Sequence, residues 1–387
     1  RCFKRANGNF VLAIMPDDWQ CAPMKIIKNP WRHAPLPAAI TEIQGTVRSD
    51  PAGVFTLLAR CPAAHKTPLV ECAPLAQALG IARLTIKDER GRMGLGSFKA
   101  LGAAYAIAKE AHKRLGDKLF GEGAAKTALV GKTYVAATAG NHGLSIAAGA
   151  RVFGAKAVIY IAQTVDESFA TQLRSFGAEV VREGAEYAAS LAAAERAAQA
   201  NGWQLLSDTS WPGYTELPLD VMEGYLVMAS EAATDIEAAK WQPTHIFLQA
   251  GVGGLAAAVC AHLRTRWGDG PTIIVVEPDA APALQASIEA GKPLITIGPI
   301  SNMGRLDCKE PSHLALKLLA QGADFFQTIS DAYTEQAIAE LADHALATSP
   351  SGGAGYAGLK AALADGSLGL TPDSQVLLFL SEGPIGG

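Results

Sequence analysis

Short apolar runs alternate with alanine-rich stretches of helical length from residue 84 to residue 206, and this alternation leaves the chain few architectures. Residues 84–88, 133–137, 157–161, 179–182 and 204–206 read as strands. The segment after Lys99 and residues 144–153, 167–176 and 188–200 read as the helices between them. A strand that rejoins its sheet after a helix-length crossover runs parallel to its predecessor. Residues 244–250, 272–276 and 375–380 continue the strand pattern. The fold class is therefore α/β, with parallel sheets. A length of 387 residues points to two domains. The expected division is a larger domain of residues 24–130 and 226–387 and a smaller α/β domain of residues 131–225. In open parallel sheets the ligand lies beyond the carboxyl ends of the strands. Residues 138–143, Asp208, residues 251–255 and Ser381 all follow strand ends, so they are expected to share a site.

Composition narrows the function classes. The chain is 49% hydrophobic and 18% charged, as a folded protein is and a disordered one is not. A net charge of -4 gives no footprint for nucleic acid or an anionic membrane. No apolar run approaches the roughly 20 residues of a membrane span. The six cysteines (Cys2, Cys21, Cys61, Cys72, Cys260 and Cys308) are scattered without CxxC spacing. That spacing argues against a disulfide framework or zinc site and for a reducing, cytoplasmic setting. No two of the eight histidines stand four apart as HxxxH, so a helix-borne metal site is not indicated. Residues 1–23 carry a short apolar patch at 10–15 that falls short of a signal peptide. They are expected to be a non-native or disordered N-terminal extension, followed by a proline-rich arm over residues 29–43.

Lys99 is set in an unusual context, GRMGLGSFKALGAAY over residues 91–105. Phe98, Ala100 and Leu101 surround it, and apolar surroundings disfavour an ammonium. A lysine so placed suits Schiff-base chemistry. The same context also suits a lysine whose stem packs at a helix start while its head reaches water. Further on, Gly251, Val252, Gly253, Gly254 and Leu255 follow a strand and open a helix. Three readings fit this loop. It matches a dinucleotide fingerprint, with Glu277 at the end of the next strand as the ribose acid of an NAD-dependent oxidoreductase. It is equally a structural turn, or a nest of backbone N–H groups for the phosphate of another cofactor. An amine, a Gly-Asn-His-Gly turn at residues 140–143, an N–H nest and a terminal-strand hydroxyl at Ser381 together suit pyridoxal 5′-phosphate better than a nicotinamide.

With these residues in place, the chain resembles fold-type II pyridoxal-phosphate enzymes, the group of threonine and serine dehydratases, from about residue 67 to 383. The segment LSDTSWPGYTELP at 206–218, with MEGY at 222–225 and KDER at 87–90, is most similar to the diaminopropionate ammonia-lyase branch. The resemblance implies a tryptophan synthase β-like fold, with the cofactor between two parallel-sheet domains and the larger domain binding it. It also implies a homodimer acting on a small amino acid. Lys99 would hold the cofactor and act as base at Cα, and Asn141 would bond its 3′-oxygen. The N–H groups of Gly251, Val252, Gly253, Gly254 and Leu255 would bind its phosphate, and Ser381 would meet the pyridine nitrogen. Thr138, Ala139 and neighbouring N–H groups would take the substrate carboxylate. Asp208 would receive the distal amino group and help it leave as ammonia; the bland alternative is an aspartate capping the turn before Trp211. The implied reaction is α,β-elimination of a β-substituted L-amino acid, with 2,3-diaminopropionate giving pyruvate and ammonia. Serine, threonine and 3-hydroxyaspartate are the alternative substrates.

The chain departs from that branch at two places. Ala139 stands where the branch usually has an aspartate, which is associated with proton abstraction from the D-enantiomer. Alanine cannot take a proton, so an L-substrate is expected. Residues 349–355 (SPSGGAG) replace a pattern closer to Gly-Glu-Ser-Gly. His142 reads as shaping its turn or meeting a phosphate edge rather than as a base, Glu277 as a loop or helix-cap acid, and Trp211 and Tyr214 as either pocket wall or core. Cys308 has no role derivable from sequence.

Overall fold

The computed structural model describes residues 2–6, 9–13, 24–138 and 140–384. The expectation for residues 1–23 falls mostly outside them; within that stretch, Cys2–Ala6 pairs antiparallel with Asn9–Ala13. Ala139 also lies outside the described residues.

Two sheets organise the rest. The larger runs in the order Ile26–Lys28, Phe325–Ile329, Thr272–Pro278, His245–Gln249, Gln375–Leu380, Arg83–Asp88, Leu69–Glu71. Its five inner strands are parallel and the two short edge strands antiparallel. The smaller sheet is wholly parallel, in the order Glu179–Arg182, Lys156–Ile161, Thr133–Ala137, Gln204–Leu205. Inner strands are buried along almost their whole length, because helices cover both faces of a parallel sheet. Among the described residues no helix is long and apolar enough to cross a membrane.

Sequence pattern located most parallel strands but misplaced the structure around Lys99. No regular helix follows directly. Phe98–Leu101 is a single 3-10 turn capped by Ser97, whose hydroxyl accepts the Lys99 N–H at 3.2 Å. The α-helix starts only at Ala103. Gly102 separates the two because the Tyr225 ring fills the space a side chain would need: a Cβ there would stand 2.6 Å from Tyr225 Cε1. Tyr225 lies on the helix Glu216–Ala238, which is buried for most of its length. Its neighbour Gly224 brings that helix equally close, since a Cβ there would sit 2.1 Å from the Leu101 carbonyl oxygen. Such a Cβ could not be accommodated without moving backbone.

The same helix anchors the loop ahead of Lys99 through buried charges. Glu231 accepts from Lys87 Nζ at 2.6 Å and from Arg92 at 2.7 and 3.0 Å. Arg92 also forks onto Glu89 through two bonds of 2.7 Å. Thr67 completes the cluster, its hydroxyl donating to Glu89 at 2.6 Å and its carbonyl accepting from Lys87 at 2.8 Å. All five residues are buried. Two cations and two carboxylates leave no net charge, and each has a partner, which is the condition for burying ions tolerably. Burial pushes the Glu231 carboxyl up, but Arg92 and Lys87 outweigh it and hold it below its ordinary value. A depressed folded value means this acid stabilises the fold above its unfolded pKa and ceases to as pH falls through the folded value. Replacing Glu231 by Ala strands Lys87 and Arg92. It should cost about 3–5 kcal/mol in urea denaturation at pH 7. A loss of less than about 1 kcal/mol, the scale of an exposed pair, would show the cluster to be dispensable.

Candidate active site

Each candidate residue follows a strand that ends on the same side of its sheet. Strand Thr133–Ala137 leads into Thr138 and Asn141, and strand Gln204–Leu205 into Asp208. Strand His245–Gln249 leads into the glycine loop, and strand Gln375–Leu380 into Ser381 and Glu382. The strand Arg83–Asp88 pairs with this last strand along its whole length and feeds the loop to Lys99. The two chains stay joined past their ends: the Phe98 N–H donates to the Ser381 carbonyl and the Gly383 N–H to the Gly96 carbonyl, both at 3.0 Å.

Lys99 Nζ donates directly to Asp208 Oδ2. The two side chains are 22% and 20% exposed, so the pair is largely but not wholly withdrawn from water. The Lys99 nitrogen also stands 5.4 Å from the Phe98 ring centre and 5.9 Å from that of Tyr225, and the two rings meet edge-on at 4.8 Å. Burial pulls the ammonium down, yet the Asp208 carboxylate outweighs it and holds Lys99 above the ordinary lysine range. Burial likewise pushes Asp208 up, and Lys99 outweighs it, with His142 adding, so its carboxyl is held below the usual range. This corrects the reading of Lys99 from its sequence neighbours. The apolar rings are present, but a distant carboxylate decides the charge state.

The turn carrying Asp208 is braced by Tyr214. Its hydroxyl donates to the Leu205 carbonyl and accepts the Ser207 N–H, each at 3.0 Å. Trp211 stacks on Tyr214 with ring centres 4.4 Å apart. These aromatics therefore shape the turn that presents the acid. His142 is buried, with Nε2 at 2.9 Å from the Leu206 carbonyl, and burial lowers its pKa. It ties the Asn141 helix to the same turn, in keeping with a structural part. Thr138 donates its N–H to the Tyr160 carbonyl at 3.0 Å, and its hydroxyl accepts the Gly140 N–H at 3.1 Å.

The loop from Gly251 to Leu255 has the form of an anion cradle. Gly253 adopts the left-handed conformation at φ +98 and caps the helix Gly254–Trp267. The first N–H groups of a helix have no partner within it and carry its positive dipole end. Gly251 leaves no room for a side chain, since a Cβ would stand 3.0 Å from both Cys308 Sγ and Leu306 Cα. A loop that must be glycine at a close approach and left-handed at a helix start suits a phosphate group. The dinucleotide reading loses its acid. Glu277 is fully buried and spends both carboxylate oxygens on the N–H groups of Leu284 and Gln285 at 2.7 Å, capping a helix rather than facing a ribose. Burial pushes its carboxyl up to about 8, against the pull of those two N–H groups.

Sequence reading passed over Glu382 and Arg305. Glu382 is buried beside Ser381 and accepts Asn141 Nδ2 at 2.6 Å and the Ser349 hydroxyl. Arg305 Nε stands 3.2 Å from the same carboxylate and would lie 3.5 Å from a Cβ at Gly140. The only signal available was an acid closing an otherwise apolar terminal strand. Ser349, in the segment that departs from the branch pattern, caps the helix Pro350–Asp365 and reaches this acid.

The chain matches the family described as pyridoxal-phosphate dependent enzyme over residues 61–382. It is similar to the diaminopropionate ammonia-lyase of Salmonella typhimurium, with 34% identity over 310 residues that cover 76% of this chain and 75% of that protein. Among solved structures, Escherichia coli diaminopropionate ammonia-lyase in complex with D-serine superposes with a TM-score of 0.83 at 28% identity, covering 93% of this chain and 94% of that one. The same enzyme with an aminoacrylate–pyridoxal phosphate azomethine reaction intermediate gives 0.82 at 27% identity and the same coverage.

The Lys99–Asp208 pair makes a prediction that needs no substrate. In Asp208→Asn the counter-charge is gone and burial should win, so the amine should titrate lower than in the wild type. The pH dependence of Lys99 acylation in cofactor-free protein, followed by peptide mass spectrometry, reads this directly. An unshifted profile would mean that Asp208 does not control the amine.

Proposed function

The chain belongs to the pyridoxal-phosphate dependent enzyme family, and on that premise we propose that it catalyses α,β-elimination from 2,3-diaminopropionate in its L form. The products are pyruvate and ammonia. The observation that carries this reading is the ion pair between Lys99 and Asp208 at the shared strand ends. An amine beside a carboxylate held ionised is matched to a substrate that brings a second ammonium group.

Pyridoxal phosphate supplies, when bound, an aldehyde for the substrate amine and a ring that draws electrons from Cα. In this proposal Lys99 holds that aldehyde, the N–H groups of Gly251, Val252, Gly253, Gly254 and Leu255 take the phosphate, and Asn141 meets the 3′-oxygen. Ser381 offers its hydroxyl to the pyridine nitrogen. A hydroxyl does not hold that nitrogen protonated as a carboxylate would, which favours elimination. Thr138, with Ala139 and the adjacent N–H groups, receives the substrate carboxylate. Lys99 takes the proton from Cα as the Cβ–N bond breaks. Asp208 holds the leaving group as its ammonium, which takes the electron pair of the breaking Cβ–N bond and departs as neutral ammonia. The 2-aminoacrylate released is hydrolysed to pyruvate and a second ammonia.

Serine, threonine and 3-hydroxyaspartate remain the alternative substrates. Each presents a hydroxyl in place of the ammonium, and the last adds a carboxylate that Asp208 would repel. The proposal extends to a homodimer, from the family likeness, and to a cytoplasmic setting, from the free thiols Cys61, Cys72, Cys260 and Cys308. It also divides the chain into residues 24–130 with 226–387, around the larger sheet, and residues 131–225, around the smaller.

Protein reconstituted with pyridoxal phosphate should absorb at the edge of the visible and release pyruvate and ammonia from L-2,3-diaminopropionate. Lys99→Ala should lose both properties, and Asp208→Asn should lower kcat by about 10²–10³-fold, the scale of losing one electrostatic contact at the reacting group. A wild type that stays colourless after reconstitution would end this reading. Because alanine occupies position 139, the L-isomer should be consumed much faster than the D-isomer. Equal initial rates on the two would show that a base other than Lys99 reaches Cα.

A further inference from the structure

We propose that Glu382 is a positioning residue: it fixes which way the Asn141 carboxamide faces and so presents an Asn141 N–H to the 3′-oxygen of the bound cofactor. This inference rests on the cofactor-binding reading of Asn141 above and adds the group that makes that contact directional.

An asparagine amide has two hydrogens on nitrogen and only lone pairs on oxygen. Burial pushes the Glu382 carboxyl up, against the pull of Arg305, but both of its oxygens are used as acceptors, Oε1 by the Ser349 hydroxyl and Oε2 by Asn141 with the Arg305 cation 3.2 Å away. Glu382 Oε2 lies 2.6 Å from Asn141 Nδ2, so one amide hydrogen is committed to Glu382. The second hydrogen stays on the same nitrogen, free for another acceptor. Turning the amide over would set its oxygen against the carboxylate, two acceptors with no proton between them, which a buried site penalises. One rotamer is therefore selected, the one in which Asn141 donates.

Glu382 can impose this choice because it is itself fixed. Its other oxygen accepts the Ser349 hydroxyl, and Arg305 Nε stands 3.2 Å from Oε2. Its backbone carbonyl accepts the Thr348 hydroxyl at 2.6 Å, and the residue forms a bridge with Ser97, two positions before Lys99. Asn141, by contrast, begins the helix that packs on the smaller sheet. The carboxylate thus ties the turn from the smaller sheet to the frame that holds Lys99, and it does so through one atom of Asn141. Only 4% exposed, it has three polar partners to offset its burial.

A purely structural Glu382 would lower stability when removed and leave the bound cofactor's spectrum alone. The test compares holoenzyme of wild type, Glu382→Ala, Glu382→Gln, Asn141→Ala and the double variant Glu382→Ala/Asn141→Ala. It measures pyridoxal phosphate affinity by fluorescence, visible absorbance of the loaded protein, and urea stability. Glu382→Ala and Asn141→Ala should each weaken cofactor binding by about tenfold and shift the absorbance band, as loss of one good hydrogen bond does. The double variant should be no weaker than Asn141→Ala alone, since Glu382 acts through that residue. Glu382→Gln, whose amide oxygen can still accept the Asn141 N–H, should recover most of the affinity and the wild-type band; being isosteric, it also carries the test if the alanine variant does not fold. Wild-type affinity and absorbance in Glu382→Ala, additive losses in the double variant, or a Gln variant as weak as the Ala variant would each overturn the inference. A wild type that takes up no pyridoxal phosphate would overturn the family-based reading and this inference together. Normal loading of both wild type and Glu382→Ala would overturn this inference alone.

Discussion

The close approach of the helix Glu216–Ala238 to the Lys99 turn is the contact on which the site depends. Gly224 lets the helix backbone come against the Leu101 carbonyl, and Gly102 admits the Tyr225 ring from the other side. Two turns further along the same helix, Glu231 holds Lys87 and Arg92 and with them the loop that leads to Lys99. One helix therefore fixes the lysine from two directions, by contact at Tyr225 and by charge at Glu231. Such double restraint suits a side chain that must hold its nitrogen within a fraction of an ångström of a reacting atom. Tyr225 is placed to serve both purposes, since its ring packs on Phe98 while its face lies near the Lys99 nitrogen.

Charge is handled differently in the two places. In the Lys87–Glu89–Arg92–Glu231 cluster every ion has a partner that cannot leave, and nothing is left to react. In the Lys99–Asp208 pair each ion has chiefly the other, and each is still about one-fifth exposed. A pair of that kind separates when a third charged group arrives, which is the property a substrate-binding pair needs. Asp208 released from Lys99 is a carboxylate seeking a cation. Lys99 released from Asp208 is an amine whose burial favours the neutral form. The arrival of a diamino acid would thus change the state of both residues at once.

Most of the parallel strands and the residues at their ends were legible from the sequence, because an inner strand of a parallel sheet is apolar on both faces and announces its own end with a glycine or a polar residue. The strand Phe325–Ile329 escaped notice, and so did the helices Glu216–Ala238, His313–Gly322 and Pro350–Asp365. Glu216–Ala238 and Pro350–Asp365 are apolar around most of their circumference, so the polar–apolar period that marks a surface helix is weak in them. The break at Gly102 was hidden for another reason: its cause, Tyr225, is far away in sequence. The same holds for Lys99. Its neighbours suggested a neutral amine, and only the fold could bring Asp208 to it. Glu382 shows the limit most plainly, since its three polar partners come from residues 141, 305 and 349.

The glycine loop illustrates why a phosphate cradle by itself identifies no cofactor. Left-handed Gly253 and the N–H groups after it serve any phosphate, and a nicotinamide dinucleotide would satisfy them as well as pyridoxal phosphate. What separates the two is what the other strand ends contribute. A dinucleotide needs a free acid at the end of the neighbouring strand, and Glu277 there is consumed by the backbone of Leu284 and Gln285. A pyridoxal cofactor needs an amine, a donor and a hydroxyl at separate strand ends, and Lys99, Asn141 and Ser381 follow three different strands. Of these, only the donor has two orientations to choose between. An asparagine can face a neighbour with either its nitrogen or its oxygen, and the acid that follows Ser381 takes the nitrogen side of Asn141. The end of a single strand thereby carries both the Ser381 hydroxyl and the carboxyl group that holds the Asn141 amide.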